Sequence, residues 1–479
     1  MAPPLATAAR PLRVAVVGAG PSGFYTAAAL LARKDLAVSI DLVDRLPTPY
    51  GLVRYGVAPD HPKIKEVVRV FERLALDPRV RYLGNVEYGR DLGLDDLRRY
   101  YDQAVFAVGG QSDRRLGVPG EDLEGSHSST AFVAWYSRHP DFLDLPVDLG
   151  GEAAAVVGVG NVAVDVARVL ARDPGELART DISDDALAAL SASRIRDVHV
   201  LSRRGPVQAK CSPPELKELV ELSGVDLVVD PTELELDPGS RAELADDVQA
   251  QKNLEILRAC AERGLTGAPR RIHLRFLVSP VEIAGEGGRV RAIRVERNRL
   301  EPGRDGLAAR GTGVFETLAA GLVVRAVGYR SLPLPDLPFD ERRAIVPNQA
   351  GRVVDPGTGA RLPGLYVAGW VKRGPTGLIG SNKPDGAETA AAMLADLPGT
   401  VPAAEPEAAA VDRLLVARGV RRVDFADWQR LDRLEVARGA ASGRPRVKLG
   451  PIAEMLAALD AGDLEPVPAG EAQPKRPVM

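Results

Sequence analysis

Cysteine is nearly missing from this chain: its 479 residues include only Cys211 and Cys260, far apart and in no Cys-x-x-Cys spacing. That excludes a redox-active disulfide, a cysteine-held iron–sulfur cluster and a zinc knuckle. The two thiols read instead as small apolar fillers in a reducing compartment, and no metal site is expected. Long apolar runs are missing too; none approaches the roughly 20 residues a membrane helix needs. Met1–Pro11 carries one arginine and no apolar stretch. It therefore reads as neither a secretory signal nor an organelle presequence, and a cytoplasmic protein is expected. Neither sign of charge dominates: 62 Lys and Arg against 65 Asp and Glu leave a formal net charge of −3. General attraction to nucleic acid is excluded by that balance.

Glycine is plentiful, at 48 residues, and part of it falls into a pattern. Apolar content of 45% and charged content of 27% are ordinary for a globular chain, and the length suffices for two or three domains. Arg13–Val17 reads as a buried strand running into Gly18-Ala19-Gly20-Pro21-Ser22-Gly23, with an alanine-rich helix from Phe24. In a dinucleotide turn the first glycine makes the tight bend and the second lets backbone approach a pyrophosphate. The third packs helix on strand, and the helix N-terminus faces the phosphates. The next strand, Ala37–Val43, ends in Asp44, whose carboxylate can accept from ribose hydroxyls. The stretch Leu46–Lys63 is too rich in Pro and Gly for helix or strand and too apolar for a solvated linker, as expected of a loop lining a site.

A second copy starts at Ala153–Val157 and turns through Gly158-Val159-Gly160-Asn161-Val162-Ala163, with Ala163 in the third-glycine position. Its next strand, Val198–Leu201, ends in Ser202-Arg203-Arg204. Paired guanidinium groups suit a 2′-phosphate, which an acid there would repel, so this unit favours NADP(H). Two units, one suited to an ordinary ribose and one to a 2′-phosphate, imply FAD and NADP(H) on one chain. A third glycine-ended strand, Gly364–Trp370, leads into Gly377-Leu378-Ile379 and another alanine-rich helix, which implies that the FAD domain is discontinuous. The expected fold is α/β: residues 1–112 form the first part of an FAD-binding domain and 113–333 an NADP-binding domain. Residues 334–479 return to the FAD domain and add a C-terminal helical segment and a frayed tail from Glu465. Helices are expected at Ile64–Ala75 and Cys211–Ser223, with Ala171–Arg196 extending the helix of the second unit. Irregular helix and meander strands are expected as far as Gly313, and a flexible linker at Pro398–Pro406.

The chain resembles ferredoxin–NADP reductases of the adrenodoxin-reductase type, which have two Rossmann-like domains of the glutathione-reductase type. The resemblance rests on Gly18–Gly23, Leu46–Lys65, Ala107–Arg114, Val157–Asp165, Arg203–Gln208, Gly328–Arg330, Gly369–Lys383 and Gly443–Lys448. It implies FAD on the first unit, with Asp44 as ribose ligand where relatives often have glutamate. Leu52, Val86, Trp370, Gly377, Leu378 and Ile379 would lie at the flavin and nicotinamide. Arg114, Gly160, Asn161, Val162, Ala163, Arg203, Arg204 and Glu215 would form the NADP(H) site. His61 and Glu218 would be a catalytic pair beside the nicotinamide. Tyr50 stands where many relatives have tryptophan, a change expected to alter stacking against the cofactor. The implied reaction passes a hydride from NADPH to FAD and single electrons on to a ferredoxin or flavodoxin, in a monomer. Arg54, Lys63, Lys65, Arg69 and Arg73 would draw an acidic ferredoxin towards the flavin edge. The alternatives are an NADPH-dependent flavin monooxygenase and a non-enzymatic FAD/NADP redox sensor.

Overall fold

The computed structural model describes residues 4–304 and 306–461. A seven-stranded sheet runs in the order Asn348–Gln349, Arg352–Val354, Arg361–Val367, Gln103–Phe106, Leu12–Val17, Val38–Val43, Val80–Leu83. From Arg361–Val367 onward its neighbours are parallel. Leu12–Val17 is buried along its whole length, as expected of a parallel strand covered on both faces. Its alternate residues divide between two cores: Leu12, Val14 and Val16 pack with Phe24 and Leu30, whereas Ala15 and Val17 pack with Leu83 and Phe106.

A second, six-stranded sheet is parallel throughout: Ser126–Ser128, Leu322–Arg325, Ala153–Val157, Asp197–Leu201, Arg270–Arg275, Val225–Val229. One face is covered by helices, among them Asn161–Ala171, Pro213–Val220 and Val248–Arg263. The other is covered by an antiparallel layer of Val278–Glu286, Arg289–Gly303 and Gly306–Ala319. The chain crosses between the two sheets through Ser112–Asp113 and Tyr329–Arg330, which pair antiparallel. The first sheet thus draws strands from both ends of the chain. No described helix is long and apolar enough to cross a membrane.

Several expectations need correction. The helix expected over Ile64–Ala75 is two helices, Pro62–Lys65 and Val68–Ala75. The stretch after Ala171 does not extend its helix; Arg172 turns extended, and two separate helices follow, Pro174–Leu177 and Asp184–Ser191. Before Gly313 the chain is regular, with a 16-residue helix and a long β-hairpin. Pro398–Pro406 is held rather than free: Ala403 N–H donates to the buried Asp102 carboxylate at 2.8 Å, and Glu405 N–H donates to the Arg99 carbonyl at 3.0 Å. The tail from Glu465 lies outside the described residues.

Candidate active site

At the first turn Gly18 has φ 108°, and a Cβ there would lie 2.6 Å from the Ala107 carbonyl oxygen, so only glycine fits. Gly20 differs. A Cβ on it would meet nothing nearer than the Gly51 Cα at 3.9 Å, because the Pro-rich loop arches over the turn with Tyr50 N–H donating to the Ala19 carbonyl at 2.8 Å. Helix Pro21–Leu31 starts with proline and has no side-chain cap, leaving the first-turn N–H groups of Ser22 and Gly23 without a side-chain acceptor. The Asp44 carboxylate accepts Ala19 N–H at 2.9 Å and Leu46 N–H at 3.0 Å. It thereby ties the turn to the loop, and each oxygen keeps a lone pair for a hydroxyl. Burial raises its pKa.

The second turn repeats this construction. Gly158 has φ 125°, and Gly160 caps helix Asn161–Ala171 with no atom within 4 Å of the place a Cβ would take. The Asn161 carboxamide oxygen accepts Ser212 N–H at 2.8 Å, fixing helix Pro213–Val220 beside the turn, and Ala163 is fully buried against the sheet. Arg203 is exposed and Arg204 half-buried. In a molecule with abundant ion pairs, neither guanidinium has a hydrogen-bond or ion-pair partner among the described residues. The exposed Arg114 side chain likewise has none. Two cradles with open backbone donors, one ending in a carboxylate and one in two unclaimed guanidinium groups, fit FAD and NADP(H) respectively.

Between the two sheets lies a charged cluster. His61, from the Pro-rich loop, has Nε2 2.7 Å from Glu218 Oε2 and 3.7 Å from Glu215 Oε2. Glu215 and Glu218 share one face of helix Pro213–Val220 by their i, i+3 spacing. The expected pair therefore meets across 157 positions of sequence. The sequence reading missed what sits behind it. Arg168 is completely buried, with its guanidinium donating to Asp60 at 2.7 and 3.0 Å and to Asp165 at 2.7 Å. It also lies 3.4 Å from Glu215 and 3.5 Å from Glu218. Burial pushes the Asp165 carboxyl up to about 6 against the pull of Arg168. The only available signals were the i, i+3 spacing of Asp165 and Arg168 and an aspartate preceding His61. Although ligand atoms of His61, Glu215 and Glu218 lie within 4.8 Å of one another, Arg168 already supplies the positive charge a cation would bring.

A family described as pyridine nucleotide-disulphide oxidoreductase matches residues 12–232. NADPH-ferredoxin reductase FprA of Mycobacterium tuberculosis (strain ATCC 25618 / H37Rv) is 46% identical over 458 residues, 93% of this chain and 99% of that one. NADPH:adrenodoxin oxidoreductase, mitochondrial, of Arabidopsis thaliana is 40% identical over 94% of this chain and 95% of that one. The solved structure of M. tuberculosis FprA in complex with NADPH superposes with a TM-score of 0.88 at 45% identity, covering 94% and 100% of the two chains. The chain belongs to the NADPH–ferredoxin reductases of the adrenodoxin-reductase type.

In this reductase Leu52 opens a short helix, Leu52–Tyr55, immediately after Gly51. Val86 is buried, and its N–H donates to the Asp44 carbonyl at 2.9 Å. Trp370 stacks obliquely on Tyr329 at 4.9 Å, and its indole N–H donates to the Thr376 carbonyl at 3.2 Å. Beyond it Gly377 and Leu378 are exposed and Ile379 half-buried, so this backbone is open to a flat ring. Ser22 donates its hydroxyl to Asn382 at 2.9 Å, joining this third segment to the first turn. Tyr50 is not a stacking face: its ring is buried among Phe24, Phe71 and Trp428. The proposed basic patch also shrinks. Arg54 is buried against Glu435 at 2.5 and 2.9 Å, and Lys65 is bound to Asp181 at 2.6 Å, leaving Lys63, Arg69 and Arg73 exposed. Both cysteines are buried and unpaired, and burial pushes the Cys211 thiol up to about 11.

Proposed function

We propose that this reductase holds FAD on Gly18, Gly20, Pro21, Ser22 and Gly23, with Asp44 at the ribose and Leu52, Val86, Trp370 and Gly377–Ile379 around the flavin. NADP(H) lies on Arg114, Gly160, Asn161, Val162, Ala163, Arg203, Arg204 and Glu215. The domains divide after residues 112 and 333; the pairing of Ser112–Asp113 with Tyr329–Arg330 beside both boundaries supports this division. When bound, NADPH supplies a hydride that FAD accepts and returns as single electrons. The protein binds, orients and excludes water. The uncapped N-termini of helices Pro21–Leu31 and Asn161–Ala171 bind pyrophosphate through backbone N–H groups. His61 Nε2, oriented by Glu218, holds or relays a proton beside the nicotinamide, and buried Arg168 fixes the carboxylates that orient it. Electrons pass to a ferredoxin; a flavodoxin fits the same exposed Lys63, Arg69 and Arg73. The reductase acts as a cytoplasmic monomer.

The observation that carries this reading is the contrast at the two strand ends: a carboxylate at Asp44, and two unpartnered guanidinium groups at Arg203 and Arg204. Purified protein should be yellow, and NADPH should bleach it in preference to NADH. Replacing both arginines with alanine removes charge-assisted contacts worth about 1.5–3 kcal/mol each. KM for NADPH should therefore rise more than tenfold, while kcat/KM for NADH stays within a few-fold. A colourless protein, or equal losses for both nucleotides, would refute the assignment.

A further inference from the structure

The turn carrying Arg203 and Arg204 is gripped from outside the parallel sheet. Between Glu296 and Asn298 the pairing of the two long antiparallel strands shifts register, and this irregularity aims the Asn298 side chain inward. Asn298 is buried, and its carboxamide N–H groups donate to the Arg203 carbonyl at 2.9 Å and the Ser279 hydroxyl at 2.8 Å. Its backbone N–H donates to the Leu277 carbonyl at 2.7 Å. Leu277 is held in the left-handed region at φ 56°, and its own N–H donates to the Arg204 carbonyl at 3.2 Å. That oxygen also accepts from the Ser202 hydroxyl at 3.0 Å. Both carbonyls of the arginine pair thus end on fixed donors, while both guanidinium groups stay uncommitted. The far side of the turn is tied as well. Gln208 donates to Glu243 at 2.8 Å, and Glu243 accepts Leu307 N–H from the other strand of the hairpin at 3.3 Å.

We propose that Asn298 is a positioning residue for nucleotide choice: by holding the Arg203 carbonyl it presets the arginine pair for a 2′-phosphate. The β-hairpin, and not the strand end alone, then sets the preference for NADP(H) over NAD(H). This rests on Arg203 and Arg204 binding the 2′-phosphate. The physical basis is preorganisation, since a turn whose backbone is already fixed loses less freedom when the phosphate arrives. NADH has no 2′-phosphate and does not draw on that turn.

The test uses the flavin-loaded enzyme with adenosine 2′,5′-bisphosphate as a binding probe and steady-state kinetics with both nucleotides. Asn298→Ala should weaken the probe and raise KM for NADPH about five- to tenfold, with kcat unchanged and kcat/KM for NADH within twofold. Ser279→Ala keeps the bond to Arg203 but frees the carboxamide, and should shift the NADPH/NADH ratio the same way by a smaller factor. If Asn298→Ala does not fold, the Ser279→Ala ratio decides. An unchanged ratio, or equal losses for both nucleotides, overturns the positioning role. The Arg203→Ala, Arg204→Ala double variant separates the two claims. If that variant binds the probe normally, the 2′-phosphate reading itself fails. If it loses the probe while the hairpin variants do not, only the role of Asn298 falls.

Discussion

Gly18 and Gly20 sit two positions apart in one turn and face opposite constraints. At Gly18 a methyl group would collide with the Ala107 backbone in a conformation that side chains rarely adopt. Gly18→Ala should therefore destabilise the fold by several kcal/mol, read as a lower melting temperature and poor soluble yield. At Gly20 the backbone is extended and the surroundings open, so Gly20→Ala should fold within about 1 kcal/mol of the parent yet emerge with little flavin, read from the visible spectrum. Gly160→Ala should likewise keep its flavin and melting temperature while KM for NADPH rises. The motif alone distinguished these glycines by position; which one fails by folding and which by binding depends on what lies above each. Arg168 is a residue the sequence could not nominate. Besides Asp165 on its own helix, its partners come from the Pro-rich loop (Asp60) and from helix Pro213–Val220 (Glu215 and Glu218), and Arg168→Met should cost about 3–5 kcal/mol by leaving buried carboxylates without their cation.

Among the elements, Gly443–Lys448 reads in sequence as a basic turn within the C-terminal helical segment. In the fold it clasps the stretch before helix Asp184–Ser191. Arg444 bonds Asp184 and the carbonyls of Thr180 and Ile182, and Lys448 meets Asp181 at 3.1 Å while Lys65 meets the same carboxylate at 2.6 Å. One buried anion thus serves two ammonium groups, and burial pushes the Lys448 amine down to about 7. An amine whose folded pKa lies below its unfolded value takes up a proton on unfolding, so it makes stability rise as pH rises from about 7 towards the ordinary lysine value. Lys448→Met should flatten that rise in a denaturant series across alkaline pH. Asp181→Ala should be far worse at neutral pH, by about 3–5 kcal/mol, because it leaves the buried Lys448 and the half-buried Lys65 without their anion.

For the whole molecule, the two sheets meet where the nucleotides would meet, and of the five basic residues expected to draw a partner, Lys63, Arg69 and Arg73 remain exposed. Reversing these three to glutamate should slow reduction of an acidic ferredoxin about tenfold or more at low ionic strength and much less at high salt. Reduction of a small inorganic acceptor by NADPH should be unchanged. Loss of both activities together would place the three residues in the fold instead of at the partner surface. Arg54 and Lys65 would not behave this way, since each is occupied by a buried carboxylate.

The sequence by itself determined the parallel sheets, both glycine turns and the identity of the two nucleotides. Those features are local: a β-branched run, a turn that only glycine can make, and the charge at the next strand end lie within 32 residues in the first unit (Arg13–Asp44) and 52 in the second (Ala153–Arg204). Only the tertiary structure decided that His61 and Glu218 touch across 157 positions, that Arg168 stands behind them, and that Asn298 reaches the Arg203 turn from a distant hairpin. It also showed Arg54 and Lys65 occupied by carboxylates, and the expected linker Pro398–Pro406 held at Ala403 and Glu405. The physical reason is the same in each case. A charge or polar group is solvated or paired according to what packs against it, and that partner is set by the meeting of two sheets, not by the residues next in the chain.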